Sequence, residues 1–518
     1  MKIKQLQITG PEHEGELLRD YEALYRGGKY FRARVHRFLP QNPQEPSPVY
    51  TTRQKEASFR SYVGTIVDYF TALLFASPIL YKAELAGSEV DNPEWFDRFL
   101  EDCDGNGSDL VDFLRLRTAD AMVKRRGWWM LDFPDNYGTA QSKADAEKDG
   151  SAWIALRGLQ AEQVLDCGRD RRGRLLWAIV HQVECPRETP DDGRDEDVHT
   201  WHVLDRERVR IFEARTDKGS RLDEQKDATL VSEITHGLGD VPLVELDVQD
   251  GLWVANRLYD AQVEHFRLSS GLSWNIKRTC YAMPVFRIED PERFSRVQKM
   301  GAGYYLMLGK DEDMDWKGPP SAHLSVTREE IRSQKDEIFR LVTQMSLGVE
   351  NNAASIGRSA ESKVVDAEAI QVVLRSYGAL VRDAVKKTLN LIGRARGEEF
   401  AWTVEGLDKF DTVPAETLVE LLREAIDIGI PSKTFMAEAK FRAAMGLIPG
   451  IDQKTRDEIK SEIEQGLNEE ENTERELIGL ARRVGATAGG GPEETTPGRG
   501  GAAAPTPPPQ QESAAAPS

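Results

Sequence analysis

Apolar and polar positions between residues 250 and 393 repeat at helical spacing and predict three long helices around a β-rich insert. The first helix is predicted at Leu252–Lys277. Arg257, Asp260, Glu264 and Arg267 fall at steps of three and four along it, so they share one charged face. The second is predicted at Arg328–Met345, where Ile331, Ile338, Leu341, Val342 and Met345 form an apolar face. The next stretch, Ser346–Ser359, holds Gly348, Val349, Glu350, Asn351, Asn352, Ser355 and Arg358. It is too rich in Gly, Asn and Ser to prolong a helix and is expected to be a loop. A third helix is expected from near Glu361, with no proline until Pro414. Ile370, Leu374, Tyr377, Val381, Val385, Leu389 and Ile392 give it a regular apolar stripe, and Gly378 marks an expected bend. About 35 residues at 1.5 Å each would span roughly 50 Å. Such a length suits a strut in a large assembly. The insert, Tyr281–Ser325, has apolar runs at Ala282–Ile288, which includes Met283 and Phe286, and at Tyr304–Leu308, which includes Tyr305. It ends near Trp316 and reads as a small α/β module.

Earlier in the chain, Glu14–Arg26 predicts a helix stopped by Gly27 and Gly28. The prolines at 40, 43, 46 and 48 demand an extended segment. A long helix is predicted from about Thr52 to Ala76. Its window Tyr62–Leu80 is the most hydrophobic of the chain, but Asp68 and the following Pro78 make it a buried amphipathic helix rather than a membrane span. Leu110–Lys124 predicts another helix. From Gly127 to Leu246 the period changes to two. Strands are predicted at Trp128–Phe133, Leu175–Val183, Trp201–Leu204, Val209–Phe212 and Val241–Leu246. After a short strand at Phe400–Val404, Pro414–Leu480 reads as a helical module, including a helix at Lys433–Met445. Residues 485–518 are Ala, Gly, Pro, Thr and Gln with few large apolar side chains. They cannot bury a core and are expected to be disordered. The fold class expected is therefore mixed α+β.

Charge and composition narrow the functional classes. The chain has 518 residues and a formal net charge of −19, with 40% hydrophobic and 30% charged positions. A specific nucleic-acid reader presents a basic face, which here would be a minority feature. An acidic surface suits a protein past which DNA must slide, because phosphate contacts dominate non-specific affinity. Cys103, Cys167, Cys185 and Cys280 make no CxxC pair and fit neither a zinc site nor a disulfide framework, which points to synthesis in a reducing cytoplasm. The N-terminus lacks the apolar run of a signal peptide.

Candidate chemistry is sparse. Asp102, Asp104, Asn106 and Gly107 mimic the start of a calcium loop, but Phe113 stands where the bidentate Glu belongs. The simpler expectation is a polar turn in which Ser108 or Asp109 caps the next helix. His199 and His202 lie three apart in a strand, hence on opposite faces. The glycine pairs at 237/239 and 301/303 lack the remainder of any phosphate-binding motif and read as turns. No catalytic residue, metal site or cofactor is predicted.

Four segments, in this order, resemble the portal proteins of tailed bacteriophages over about residues 20–480. They are Phe38-Leu39-Pro40 with Glu45, Tyr50, Arg53, Ala57 and Phe59, running into Ile66–Phe70 and Leu74–Pro78; Asp104–Gly107 through Phe113 to Trp129–Pro134; Gly251-Leu252-Trp253 through His265-Phe266-Arg267 to Ala282–Phe286; and Ile428–Thr434 through Gly446–Pro449. The resemblance implies a head-to-tail connector ring, usually of twelve subunits, at one capsid vertex of the virion. It would be assembled in the host cytoplasm and would conduct DNA during packaging and ejection. It further implies a wing over residues 1–248, a first stem helix over 249–278, a clip over 279–326 and a second stem helix over 327–345. A tunnel loop over 346–360, the long wing helix over 361–400, a crown over 401–482 and a disordered tail over 483–518 would follow. Met283, Phe286, Tyr304, Tyr305 and Trp316 would then lie in the clip, Arg257, Asp260, Glu264 and Arg267 on the stem, and Gly348–Arg358 in the loop nearest the DNA. The implied partners are further copies of the chain, double-stranded DNA held without sequence preference, the terminase large subunit, head-completion or adaptor proteins, the major capsid protein and a scaffolding protein. No membrane is among them.

Two other classes remain open. A metal-dependent nuclease needs only a few carboxylates, and Asp102, Asp104 and Asp109 are the best cluster for one. A different virion component, such as an adaptor or a scaffold, is the other; the β-rich middle region argues against a scaffold.

Overall fold

The computed structural model describes residues 1–10, 13–85, 88–186, 196–279, 283–287, 313–317, 321–349, 362–398, 400–408, 410, 422–424, 426–428, 432–448, 455 and 458–467. The chain divides into two compact units, Met1–Thr412 and Val413–Ser518.

The first unit begins with four helices, α1 (Ile3–Leu6), α2 (Gly15–Arg26), α3 (Gly28–Phe38) and α4 (Ser47–Glu56), followed by α5 (Tyr62–Leu74). The glycine pair does stop α2, with Gly27 and Gly28 at φ 60° and 50°, but a new helix starts at once. The proline-spaced segment is non-helical only up to Pro46, because Pro48 sits in the first turn of α4, where its missing N–H costs nothing. The single helix expected over Thr52–Ala76 is two helices. Residues 57–61 leave the helix so that Ser61 can cap α5: its hydroxyl accepts from the Gly64 N–H at 2.7 Å and donates to the Leu24 carbonyl at 2.6 Å. The apolar face of α5 buries Val63, Ile66, Val67, Phe70 and Leu74. Among the described residues, no helix is long and apolar enough to cross a membrane.

Three sheets of the first unit surround a common core. Strands β1 (Leu80–Leu85) and β2 (Ser88–Val90) join β13 (Ala401–Glu405) in the order β13-β1-β2. Helices α6 (Glu94–Glu101) and α7 (Leu110–Lys124) then lead into β3 (Arg126–Asp132), which lies between β10 (Leu243–Asp247) and β4 (Ala155–Leu159). Strands β5 (Val164–Arg169), β6 (Leu175–Glu184), β7 (Glu196–Asp205), β8 (Arg208–Asp217) and β9 (Thr229–Thr235) form an antiparallel meander. Strands β4, β5 and β9 were missed by the sequence reading. Gly158 and Gly168 interrupt the period-two signal in the first two, and only Ile234 of β9 is buried.

Three long helices follow: α9 (Val254–Thr279), α10 (Ser321–Val349) and α11 (Ser362–Ala395), after the short α8 (Lys143–Asp149). Strands β11 (Met283–Arg287) and β12 (Asp313–Lys317) pair between α9 and α10. Helix α11 packs along β10 and β13 and buries Leu374, Tyr377, Val381, Val385, Leu389 and Ile392, the predicted stripe. The helix is continuous through Gly378, and a Cβ there would fall 1.7 Å from the Leu407 carbonyl oxygen, so the glycine permits a backbone-to-backbone approach. The Tyr377 hydroxyl donates to the Leu252 carbonyl, and Trp129 Nε1 donates to Thr388 Oγ1 at 3.0 Å. Both bonds satisfy polar atoms that burial would otherwise leave costly. Residues 401–405, expected to open the crown, instead supply β13 to the first unit.

In the second unit, Ser432 caps α12 (Lys433–Leu447) by accepting from the Phe435 N–H at 3.3 Å, and residues 458–467 are helical. The C-terminal tail expected to be disordered lies outside the described residues.

Candidate functional site

The charged stripe of α9 is built by the burial of its opposite face. Leu258, Val263 and Phe266 are buried among α2, α3 and α5, and Phe266 meets Phe31 and Phe59 edge-on at ring distances of 4.8 and 5.8 Å. That fixes the rotation of the helix, and Arg257, Asp260, Glu264 and Arg267 are all exposed on its other side. Arg267 also bonds the Phe38 carbonyl at 2.8 Å, which ties its stem while its residue stays accessible. The stripe carries two positive and two negative charges.

Two polar residues on the inner face of α9 went unnoticed in the sequence. Gln262 is fully buried; its Oε1 accepts from the Tyr62 N–H at 2.8 Å and its Nε2 donates to the Arg60 carbonyl at 3.1 Å. One side chain of α9 thus holds the N-terminus of α5, where helix N–H groups lack partners of their own. His265 is buried with its ring edge-on to Tyr62 at 4.9 Å. Burial, then the charges of Arg60 and Lys335, hold its pKa below the usual histidine value. The signal was present: Leu258, Gln262 and Phe266 lie four apart, so a polar residue stood inside an apolar stripe.

Helix α10 lies against α9 and α11. Its predicted apolar face is present, with Ile338 and Met345 buried and Ile331, Leu341 and Val342 half-buried. Its exposed charges are of both signs, at Arg328, Glu329, Glu330, Arg332, Lys335, Asp336 and Arg340. The helix differs from expectation at both ends. It begins at Ser321, directly after Pro319 and Pro320, and it runs to Val349. Gly348 and Val349 are therefore helical rather than part of a loop. A single glycine costs a helix only about 1 kcal/mol, a penalty that a 29-residue helix absorbs. Glu350, Asn351, Asn352, Ser355 and Arg358 lie outside the described residues.

Of the insert residues, Met283 and Phe286 are in β11 and Trp316 is in β12. The register pairs Met283 with Lys317, Pro284 with Trp316 and Phe286 with Met314. Tyr304 and Tyr305 lie outside the described residues. The antiparallel strand pair thus lies between the end of α9 and the start of α10 in the chain.

The other candidates resolve into structural roles. In the 102–109 turn, Asp104 Oδ1 accepts from the Asn106 and Ser108 N–H groups at 2.9 and 3.2 Å, and Asp102 Oδ1 from Gly107 at 2.9 Å. Asp109 caps α7, accepting from Asp112 at 2.7 Å. The hydrogen bonds to Asp104 outweigh its partial burial and hold its pKa below the ordinary value. His199 and His202 do sit on opposite faces of β7. His199 shares a hydrogen bond with His181 at 3.1 Å, beside the Trp201 ring. His202 is buried on the other face, and burial, aided by Arg157, pushes its pKa down to about 4.

Among solved structures, the chain is similar to components of gene transfer agent particles. A chain from the virion of the native particle shares 13% identity, covering 77% of this chain and 94% of that one, with a TM-score of 0.37. One from the neck of the empty particle, computed with C6 symmetry, shares 13% over 76% and 93%, at a TM-score of 0.40. Another from the neck of the native particle, computed with C12 symmetry, shares 14% over 80% and 98%, at 0.37. A likeness of this strength assigns neither a family nor a function. No family model matches the chain, and no curated protein matches it.

Proposed function

We propose that this chain is a portal-type subunit: copies of it close into a ring that conducts double-stranded DNA into and out of a virion. The observation that carries the reading is the helix pair α9–α10 with its intervening strand pair. Each helix commits one face to the core of its own subunit and leaves a long face exposed. Those faces are studded with charges of both signs and are close to neutral, within a chain of net charge −19. A ring subunit needs such helices, with one side for its own fold and the remainder for neighbours and the channel. Near-neutral mixed charge supports a channel role as well, because each fixed phosphate contact adds affinity and friction.

In this reading α9 and α10 form the stem, and the 279–321 insert is the clip that docks the terminase and later the head-completion proteins. The expected tunnel loop over 346–360 is the segment that would approach the DNA, and the crown comes from within 401–482. The protein is structural, and packaging ATP hydrolysis belongs to the motor. Electron micrographs of the purified protein test this. Closed rings with a central hole are expected; a monomer at every concentration and salt, even with the capsid and scaffolding proteins present, overturns it. A magnesium-dependent DNA cleavage lost on Asp104→Ala would favour the nuclease alternative instead.

A further inference from the structure

A second site lies away from the helix pair, in a groove between the β3–β4 strands and the five-stranded meander. Its volume is about 490 Å³, and its walls include Asp132, Asp135, Arg157, Glu184, His202 and Glu213. Four carboxylates and one guanidinium line it. Arg157 pairs with Asp132 at 2.7 Å and reaches the Gln182 amide oxygen at 3.4 Å. Among the described residues, Asp135, Glu184 and Glu213 have no side-chain ion pair. His202 is 4% exposed, and its Nε2 is buried without a hydrogen-bond partner.

An unpartnered buried polar nitrogen is costly in the free protein, and Asp135, Glu184 and Glu213 bring unpaired negative charge to the same walls. One kind of occupant relieves the two together: a cation that also donates hydrogen bonds. Apolar positions in the same walls, Trp153 and Ile211 among them, suit an aliphatic stem behind the charge. We propose that this groove receives an arginine side chain from an extended segment of a partner protein. The guanidinium lies among Asp135, Glu184 and Glu213, with one N–H directed at His202 Nε2. Arginine fits better than lysine because its planar fork can serve several carboxylates and the imidazole at once. The inference does not depend on the ring reading.

The test uses the full chain in its native oligomeric state and two probes, N-acetyl-arginine amide and its uncharged isostere N-acetyl-citrulline amide. Binding is read by ligand-observed NMR at low salt. The arginine probe is expected to bind at least about tenfold more tightly, a difference of ~1.4 kcal/mol, and to weaken with added salt. Glu213→Gln, at a half-exposed position that leaves folding intact, should reduce its affinity several-fold. His202→Phe should do so as well, with circular dichroism checking that the chain still folds. Equal binding of the two probes, no binding of either at millimolar concentration, or indifference to Glu213→Gln overturns the proposal. Release of subunits from one another on adding the arginine probe would make a second copy of this chain the occupant and also overturn the partner assignment.

Discussion

Helices α9 and α11 are both long, yet the structure uses them in opposite ways. Helix α11 commits its apolar stripe to the core, and its backbone at Gly378 touches another segment directly. Helix α9 is anchored along one face by Phe266, Gln262 and His265 and leaves four charges in solvent on the other. The difference separates positions that specify the fold from positions left free for partners. Substitutions in α11 should act on stability, and those on the outer face of α9 on assembly and DNA.

The largest effect is expected at the close approach. Gly378→Val would drive a side chain into the Leu407 carbonyl, and soluble folded protein should be lost. If it survives, urea denaturation should show a cost of about 3 kcal/mol or more. Trp129→Ala, which empties a fully buried site, should cost about 3–5 kcal/mol. A melting temperature unchanged by either would break the picture of α11 as a packed strut.

Next comes the anchored face of α9. Gln262→Leu removes three hydrogen bonds, to the Tyr62 and Val63 N–H groups and the Arg60 carbonyl at the start of α5, and should cost about 1–3 kcal/mol, read by the same denaturation. A neutral result would mean that α5 does not need this support.

A smaller effect is expected from pH. Burial lowers the pKa of His202 to about 4 and, with the neighbouring His199, that of His181 to about 4. The unfolded chain titrates near 6.5, so it binds more protons than the folded chain between those values. This contribution is fully present above pH 6.5 and is lost as pH falls toward 4. The melting temperature should drop over that window, and His202→Phe should flatten the drop. An unchanged profile would contradict the burial of these rings.

The packing side of this comparison was legible in the sequence. The α11 stripe, the α9 charges, α7 and most meander strands follow from periodicity, because burial of one face is what periodicity records. What escaped has local causes. Residues 57–61 are too few to interrupt an apolar pattern, yet Ser61 needs them to reach the Leu24 carbonyl. Gly348 has the local signature of a breaker, yet a helix tolerates it. Nothing local reveals that Leu407 lies against Gly378. The groove around His202 could not be seen at all, since its carboxylates come from β3, β6, β8 and the turn after β3, and only tertiary structure joins them.

The smallest effect on stability should come from the outer face of α9, where replacing Arg257, Asp260 and Glu264 together by Ser, leaving Arg267 on the Phe38 carbonyl, should shift folding stability by about 0.5 kcal/mol or less per site. Deleting Asn351–Ser355 should likewise leave rings intact while impairing DNA packaging or retention; failure of ring formation would make that segment an assembly element instead. The most direct measurement is DNA content in particles carrying the threefold serine variant at Arg257, Asp260 and Glu264, with its melting temperature measured in parallel. The account predicts a steep fall in packaged DNA at an unchanged melting temperature. Normal packaging by a folded variant would contradict it.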